Sequence, residues 1–439
     1  MGKLIHYEGT EIYAFEYKGI KLALDVEKLE IYQLDTDEYK KLLNCQSSHK
    51  TNIALNQTEE EKEKSKAIIT KVRNIAIEVS NDCNLRCSYC YGEGGGYGKQ
   101  AKMMTKETAK KCIDFLIENG DHKYPLGIIF FGGEPLMNFE VMEYVVTYCN
   151  QKKDELGVEF TYGMTTNATL LTPQILNFIE KNHVIITISI DGSQKHHDTN
   201  RVYANGKGSY HIVERKIEDL LKKYASRVRA RATISNSNLD ILEVENHLQK
   251  MGFEDIVLSF VDVDPNSKMY IKKSDFEEIF RGIEQLGDQC IRQILEHKVM
   301  PINMFKKMLA TLYTRIPNDK VCGAGTTYLA FTADGEIYPC HRFSNNEKYL
   351  LGNVNTNYKE NRDFEKYSCV ENRPICSECF ARHFCGGNCL HTSAVNNNQI
   401  RIPHTQYCSI YKKVIEISIY IYYKVKSEDP NVFINLFQK

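Results

Sequence analysis

The sequence predicts an α/β protein whose central part is a partial (β/α)6 TIM barrel. Six short apolar or alternating runs recur between residues 74 and 263, and helical stretches separate them. Strands that alternate with helices are typical of parallel sheets with crossover connections. The unusual sequence features follow the first four of these strands, and barrels carry their chemistry at the C-terminal ends of their strands. This coincidence favours a barrel over an open sheet.

Residues 1–70 are predicted to form a small α+β unit and a linker. Three alternating runs predict strands, a capped helix follows them, and a polar, highly charged tract predicts a linker that runs into a solvated helix. The predicted strands cover residues 12–17, 20–25 and 29–34, the helix covers 36–43, and the charged tract covers 47–66.

Residues 71–314 are predicted to form the barrel. Its strands are predicted at 74–80, 127–133, 159–167, 184–192, 228–235 and 255–263. Its helices are predicted at 105–119, 138–153, 172–182, 209–224 and 239–251. Residues 315–439 no longer alternate and hold eight of the fifteen cysteines. They predict a loop-rich module that folds around metals and ends in an apolar helix at about 405–425.

Charge and hydropathy limit the possible partners. The 56 basic and 57 acidic residues give a net charge of −1, which is not the basic footprint of a nucleic-acid-binding protein. Charges interrupt the first apolar stretch, so no signal peptide is predicted. The most apolar late stretch, residues 414–423, is too short to span a bilayer and contains Glu416. The protein is expected to be soluble and cytoplasmic, with neither nucleic acid nor a membrane as a partner.

The cysteines predict metal sites. Disulfide frameworks belong to small secreted domains, whereas these cysteines cluster in a chain with no export signal. Four stand apart from the clusters and are expected to be small buried hydrophobic residues: Cys45, Cys112, Cys149 and Cys290.

The segment CNLRCSYC, at residues 83–90, follows the first barrel strand. Its Cys83, Cys87 and Cys90 form C-x3-C-x2-C, whereas a structural zinc site wants four protein ligands. Three thiolates can hold three irons of a [4Fe–4S] cluster and leave the fourth iron open. The motif, with Asn84, Leu85 and Tyr89, resembles that of the radical S-adenosylmethionine (radical SAM) enzymes. The resemblance implies that S-adenosylmethionine binds the open iron; a three-ligand zinc site is the alternative.

The segment GGEP, residues 132–135, follows the second strand. Glycines let a backbone approach a ligand closely, and a glutamate can accept a hydrogen bond from an ammonium group. In the family that the chain resembles, this motif contacts the methionine amino group. The resemblance therefore implies a S-adenosylmethionine site made of Tyr89, Gly132, Gly133, Glu134, Pro135, Thr166, Asn167, Ser189 and Asp191, with Arg201 or Arg231 as a partner for the carboxylate. Strand-end capping and turn formation are the alternative roles of residues 166, 167, 189 and 191.

The tail resembles the seven-cysteine SPASM extension of these enzymes, which holds two auxiliary clusters. The resemblance implies an outer [4Fe–4S] cluster on Cys376, Cys379, Cys385 and Cys408, and an inner one on Cys322, Cys340 and Cys389. The inner cluster is then one ligand short, so either its site is open to substrate or Cys369 completes it. Two zinc knuckles are the alternative for this region.

Three functions remain open. The first is a radical SAM maturase of ribosomally made peptides (RiPPs), an oxidoreductase that installs a thioether or carbon–carbon cross-link in a leader-bearing precursor. It would need three [4Fe–4S] clusters and an external low-potential electron donor of the flavodoxin or ferredoxin type. The glycine-rich continuation YCYGEGGGYG and the N-terminal unit, which could add a leader peptide as a strand, favour it.

The second function is an anaerobic sulfatase-maturating enzyme, which forms formylglycine. In that branch the residue after the second extension cysteine is commonly Asp, a candidate base, and here it is His341. The third is a non-catalytic binding protein stapled by zinc, which would be colourless, whereas iron–sulfur clusters are brown.

Overall fold

A computed structural model describes residues 2–45, 71–297 and 302–437. The predicted linker at 47–66 lies outside these ranges. The described strands are β1 (Lys3–Tyr7), β2 (Thr10–Tyr17), β3 (Ile20–Asp25), β4 (Glu30–Leu34), β5 (Asn74–Ser80), β6 (Leu126–Gly132), β7 (Phe160–Thr166), β8 (Ile185–Ser189), β9 (Val228–Ile234), β10 (Asp255–Phe260), β11 (Tyr328–Phe331), β12 (Glu336–Tyr338) and β13 (Gly352–Asn353). The described helices are α1 (Thr36–Asn44), α2 (Lys106–Asn119), α3 (Phe139–Leu156), α4 (Pro173–Lys181), α5 (Gln194–Asn200), α6 (Tyr210–Tyr224), α7 (Ile241–Met251), α8 (Phe276–His297), α9 (Asn303–Thr314), α10 (Arg362–Ser368), α11 (Arg382–Cys385), α12 (Leu390–Asn397), α13 (Cys408–Glu428) and α14 (Val432–Phe437).

The six predicted barrel strands are parallel neighbours in chain order, from β5 to β10, in a nine-stranded sheet. This confirms the α/β class and the alternation of strands and helices. Each predicted helix is present to within a few residues, and side-chain caps start several of them: Thr105 accepts from the Thr108 amide, and Thr172 from the Ile175 amide. The strands are buried, as β5 illustrates with six buried residues out of seven.

The sheet continues into the tail, which the sequence did not predict. Strand β11 pairs in parallel with β5, from Tyr328 opposite Asn74 to Phe331 opposite Ile77, and β12 and β13 extend the edge as antiparallel strands. The run Tyr-Leu-Ala-Phe is short and is not followed by a helix, so periodicity did not separate it from a loop. Its pairing joins the cysteine-rich tail directly to the strand that carries the first cysteine motif.

The N-terminal unit is a four-stranded antiparallel sheet in the order β1-β2-β3-β4, followed by α1. The sequence predicted three of these strands and missed β1, in which only Ile5 is fully buried. The strand that carries Leu22 is not an edge, because β3 pairs with both β2 and β4. Asp35 and Glu38 form a capping box at the start of α1, in agreement with the predicted cap.

The N-terminal sheet packs on the tail rather than standing alone. Its buried side chains share one hydrophobic cluster with α9, α13 and the loop between Cys379 and Cys385. The Tyr13 ring stacks on Phe380, with centroids 3.5 Å apart. At the start of α11, the buried Arg382 guanidinium donates to carboxylates of Glu11 and Glu27. Removing this sheet would therefore expose apolar surface and leave a buried charge unpaired.

The isolated cysteines and the last long helix agree in part with expectation. Cys112, Cys149 and Cys290 are fully buried, as predicted. Cys45 is only half-buried, because it follows the end of α1, where its thiol donates to the Lys41 carbonyl.

The apolar stretch at residues 414–423 lies within α13. Among the described helices, none has the length and apolar character needed to cross a lipid bilayer.

Candidate active site

The carboxyl ends of the parallel strands surround one large cavity. It contains about 1190 Å³ of open space, including the part that is continuous with solvent. Nine of the eleven residues proposed to contact S-adenosylmethionine line it together with the three cysteines: Tyr89, Gly132, Gly133, Glu134, Thr166, Asn167, Ser189, Arg201, Arg231, Cys83, Cys87 and Cys90. The other two, Pro135 and Asp191, are buried behind its wall.

The cysteine loop is held by its backbone and by asparagine side chains. Its Arg86 and Ser88 amides donate to carbonyls of the segment 200–202. Asn167 donates to Asn84 Oδ1 over 2.9 Å and lies 3.7 Å from Cys83 Sγ. Burial, with a smaller contribution from Glu134, raises the pKa of Cys83 to about 12. This thiol therefore becomes a thiolate only when a positive charge, such as that of bound iron, compensates for the loss of water.

The Gly132–Gly133 turn lies directly against the cysteine loop. The Gly133 amide donates to the Ser80 carbonyl, and the Glu134 amide donates to the Asp82 carbonyl. A Cβ on Gly133 would lie 2.3 Å from the Asp82 carbonyl oxygen, and Gly132 has a φ of +140°. The glycines are thus required for contact between two backbones. Sequence reasoning had assigned this close approach to the ligand.

Glu134 is a buried carboxylate without a cationic partner among the described residues. Its Oε1 accepts from Thr166 Oγ1 and the Leu136 amide, and its Oε2 accepts from the Asn167 amide. Burial raises the pKa of Glu134 to about 7, although these hydrogen bonds act in the opposite direction. The predicted Thr166 and Asn167 therefore orient this carboxylate, and Glu134 presents a charge that a cationic group in the cavity would satisfy.

Asp191 organises the opposite wall. It is fully buried and accepts from Arg201 Nε at 3.0 Å, from the Tyr89 hydroxyl and from the Thr233 amide. Arg201 in turn lies over the Tyr89 ring and 4.0 Å from Cys87 Sγ. Asp191 therefore acts on the cavity through Arg201 and Tyr89, and not by facing it.

Arg231 is the cation that remains available in the cavity. Its side chain is exposed to the cavity, and no carboxylate among the described residues pairs with it. Its burial within the cleft lowers its pKa, and the cations Arg342 and Arg201 contribute in the same direction. A charge placed in this way favours an anionic ligand group. Of the two arginines proposed for a carboxylate, Arg231 is the one that is not already neutralised.

The tail supplies one side of the cavity. His341 lines it, packs on Phe131 and is hydrogen-bonded to the Tyr328 hydroxyl at 2.8 Å. Burial and the two cations Arg231 and Arg342 lower the pKa of His341 to about 3, so its ring is neutral.

Arg342 and its partner were not identified from the sequence. The Arg342 guanidinium pairs with Asp262, just beyond β10, at 2.7 Å, and it approaches Cys389 Sγ at 3.8 Å. Asp262 also accepts from Thr392. The signal that could have found Arg342 is its position two residues after Cys340. No local sequence signal marks Asp262, because its role depends on a contact with a segment eighty residues away in the chain.

Four of the eight tail cysteines face a common space. Cys376, Cys379, Cys385 and Cys408 line one second cavity. Burial raises the pKa of Cys340 to about 12, and its neighbours Cys389 and Cys322 add to this effect. Cys369 forms an antiparallel backbone bridge with Lys320, which lies two residues before Cys322 in the chain. Its assignment as a fourth inner ligand remains a proposal.

These donor sets fit iron–sulfur clusters. Thiolates are the ligands that such clusters use, and four cysteines around a cavity leave room for a body larger than one ion. In the described part of the chain, no three His, Cys, Asp or Glu side chains converge closely enough to hold a single metal ion.

Comparisons with known proteins agree with the resemblance. The family model of the Radical SAM superfamily matches residues 77–234, which run from β5 to β9. An uncharacterised protein of Methanocaldococcus jannaschii is 31% identical over 295 residues, covering 66% of this chain and 92% of the relative. A cysteine-type anaerobic sulfatase-maturating enzyme of Clostridium perfringens is 24% identical, covering 77% of this chain and 93% of the enzyme. The radical SAM cyclopropyl synthase TigE of Paramaledivibacter caminithermalis is 24% identical, covering 79% of this chain and 73% of that enzyme.

Solved structures share the fold. A structure of anSMEcpe with bound AdoMet has a TM-score of 0.69 at 20% identity and covers 81% of this chain and 99% of that chain. Streptococcus suis SuiB bound to the precursor peptide SuiA has a TM-score of 0.53 at 15% identity, and the match covers 92% of this chain and 98% of SuiB. The partial barrel and its tail are thus known architecture.

We predict that Gly133→Val removes iron from the cavity site as well as weakening S-adenosylmethionine binding. The reason is that the new side chain meets the Asp82 carbonyl and displaces the cysteine loop. Iron content and equilibrium dialysis measure the two effects. Gly163→Ala is the matched control, because a Cβ there, on β7, meets its nearest neighbour at an ordinary 3.7 Å. Full iron in Gly133→Val would contradict this explanation.

We also predict that S-adenosylmethionine binds more weakly below about pH 7. The carboxylate form of Glu134, which attracts an ammonium group, predominates only above its raised pKa of about 7. Affinity should therefore be roughly tenfold lower one pH unit below that value than on the plateau above it. Equilibrium dialysis across this range measures the profile. In Glu134→Gln the profile should be flat and low; a wild-type profile in that variant would exclude Glu134 as the titrating group.

Proposed function

Because the chain belongs to the radical SAM superfamily, we propose that it is a peptide maturase that cross-links a ribosomally made precursor. The observation that carries the proposal is the composition of the cavity. The three motif cysteines, an unpaired carboxylate at Glu134, an unpaired guanidinium at Arg231 and the tail residue His341 all face one space. Such a space suits a zwitterionic cofactor and a substrate segment that approaches from the tail side.

The proposed cofactors are S-adenosylmethionine and three [4Fe–4S] clusters. The cavity cluster is assigned to Cys83, Cys87 and Cys90, and the tail clusters are assigned to the inner and outer cysteine groups. When bound and reduced by one electron from an external flavodoxin- or ferredoxin-type donor, the cofactors supply a 5′-deoxyadenosyl radical that removes a hydrogen atom from the substrate.

The chain's own residues bind and orient the reactants. Glu134 is positioned to accept hydrogen bonds from an ammonium group, because its carboxylate is already oriented by Thr166 and Asn167. Arg231 is available for a carboxylate. Asp191 holds Arg201 and Tyr89 in place, which keeps that wall of the cavity rigid. His341 from the tail and Phe131 from β6 pack together and give this side of the cavity an aromatic surface.

Sulfatase maturation is the second candidate, and the relatives favour it as strongly. The named relatives include anaerobic sulfatase-maturating enzymes as well as TigE, and anSMEcpe has a higher TM-score than SuiB. Against it stands His341, a neutral ring hydrogen-bonded to Tyr328 where that branch commonly has Asp. Two assays separate the candidates. A sulfatase-derived peptide with Cys or Ser would yield formylglycine in one case, and a short leader-bearing peptide, sought among the genes beside this one, would yield a cross-link in the other.

We predict about twelve irons per chain after anaerobic reconstitution, four for each cluster. Replacing Cys83, Cys87 and Cys90 with Ala should remove about a third of the iron and abolish formation of 5′-deoxyadenosine.

Cys340→Ala should still form 5′-deoxyadenosine but no modified peptide, because the inner cluster is proposed to serve the substrate and not the cofactor. Iron analysis and mass spectrometry measure these outcomes. Zinc in place of iron would support the non-catalytic binding protein, and normal product from Cys340→Ala would reduce the inner cluster to a structural role.

The N-terminal sheet is the proposed recognition site for a leader. Its edge strands are β1 and β4, and an edge strand can add an extended peptide through backbone hydrogen bonds. β4 is the better candidate because a groove runs beside it, lined by Tyr32, Arg315, Tyr423 and Lys426 among others. Arg315 in this groove is already paired with Glu30 at 2.6 Å, so Lys426 is the cation there that favours a leader with acidic residues.

Point variants test this proposal better than truncation, since the sheet also packs on the tail. We predict that Tyr32→Asp weakens binding of a labelled precursor and slows its modification, while formation of 5′-deoxyadenosine is unchanged. Tyr7→Asp is the matched control, because Tyr7 lies on the other edge strand and the two side chains are similarly exposed, at 43% and 46%. Fluorescence anisotropy measures affinity. Equal affinity in both variants and the wild type would show that β4 does not bind the leader.

A further inference from the structure

Arg373 is a fully buried cation in the tail. It has no solvent exposure and is the largest of the fully buried side chains. Its Nη1 donates to the Asn388 carbonyl and its Nη2 donates to Ser393 Oγ at 2.7 Å. Its Nε finds no acceptor among the described residues. Two neutral acceptors therefore hold a guanidinium that keeps its whole positive charge.

The other buried arginines do not share this situation. Arg201 is paired with Asp191, and Arg382 is paired with Glu11 and Glu27. No carboxylate in the described parts of the chain pairs with Arg373. Burying an uncompensated charge costs several kcal/mol, and folded proteins normally compensate for it with a counter-charge. The counter-charge of Arg373 must therefore come from groups other than carboxylates.

Arg373 lies close enough to cysteines of both tail groups to interact with them electrostatically. Burial raises the pKa of Cys376, in the outer group, and of Cys322, in the inner group, and the positive charge of Arg373 acts in the opposite direction on both thiols. Asn388, which accepts its hydrogen bond, directly precedes Cys389. Gly387 makes room for it, since a Cβ there would lie 2.9 Å from Arg373 Nη1. The guanidinium thus lies between the segments that carry the two groups.

We propose that Arg373 is the shared counter-charge of the two tail cysteine groups and stabilises the reduced state of the clusters that they hold. The inference rests on the proposed tail clusters. One-electron reduction adds one negative charge to a cluster, so a fixed cation nearby favours reduction and raises the reduction potential.

The test is a redox titration of the reconstituted, full-length enzyme, followed by electron paramagnetic resonance. In Arg373→Gln, both tail clusters should have lower reduction potentials, while the cavity cluster keeps its own. Arg373→Lys, which retains the charge, should keep both tail-cluster potentials close to those of the wild type. Arg401→Gln is the matched control, because Arg401 is an exposed arginine of the same tail. It should leave every potential unchanged.

Iron content decides the outcome if Arg373→Gln fails to hold the tail clusters. Retention of tail iron by Arg373→Lys and its loss from Arg373→Gln would support the proposal. Both variants change the shape of the side chain, but only Arg373→Lys keeps its positive charge. Equal loss from both, or unchanged potentials in Arg373→Gln with all its iron, would overturn it and leave Arg373 a hydrogen-bonding support for Asn388 and Ser393. A wild-type enzyme with no tail iron would instead refute the cluster assignment.

Discussion

The close contact between two loops at the ends of β5 and β6 is the constraint on which the cavity depends. The cysteine loop leaves β5 at Ser80, and the Gly132–Gly133 turn leaves β6 beside it. Backbone amides of Gly133 and Glu134 donate to carbonyls of Ser80 and Asp82, at a distance that leaves no room for a Cβ. This contact sets where the thiols and the Glu134 carboxylate lie relative to each other. The side chains that orient Glu134 extend the same arrangement to the end of β7.

Compensated and uncompensated charges divide the molecule into structural and ligand-binding parts. Arg201, Arg342 and Arg382 have carboxylate partners and serve to hold walls and segments together. Glu134 and Arg231 have none in the described structure, and both face the cavity. A charge without a partner in a protein interior is costly, so such residues mark places where a ligand supplies the missing charge. The presence or absence of a partner of opposite charge therefore separates the structural charged residues from those that are expected to bind a ligand.

The three segments of the chain depend on one another mechanically. Strand β11 extends the barrel sheet, the Tyr407 hydroxyl donates to the Val261 carbonyl at 2.7 Å, and the N-terminal sheet covers the loop between Cys379 and Cys385. The tail can therefore form one side of the cavity with a defined geometry. Removal of any one segment would disturb the packing of another, which is why single side-chain changes are the sharper probes of this protein.

The sequence by itself determined the repeating architecture and the groups of cysteines. Strand and helix periods are local properties, and C-x3-C-x2-C and GGEP are short, contiguous motifs whose chemistry survives without knowledge of the fold. For this reason the strands β5 to β10, the cavity residues at their ends and the family were all predicted. The missed strand β1 and the tail strand β11 lack a strong period, because few of their residues are buried or because they are very short.

Only the tertiary structure decided which charges are paired and which segments touch. Asp262 meets Arg342, Glu11 meets Arg382, and Asp191 lies behind the cavity wall although a strand-end position suggested a direct contact. These contacts join residues far apart in the chain, and no local pattern carries them. Likewise, the edge strands of the N-terminal sheet and the unpaired state of Arg373 follow from what lies beside them in space. Pairing is a property of the folded surroundings, which a single sequence does not contain.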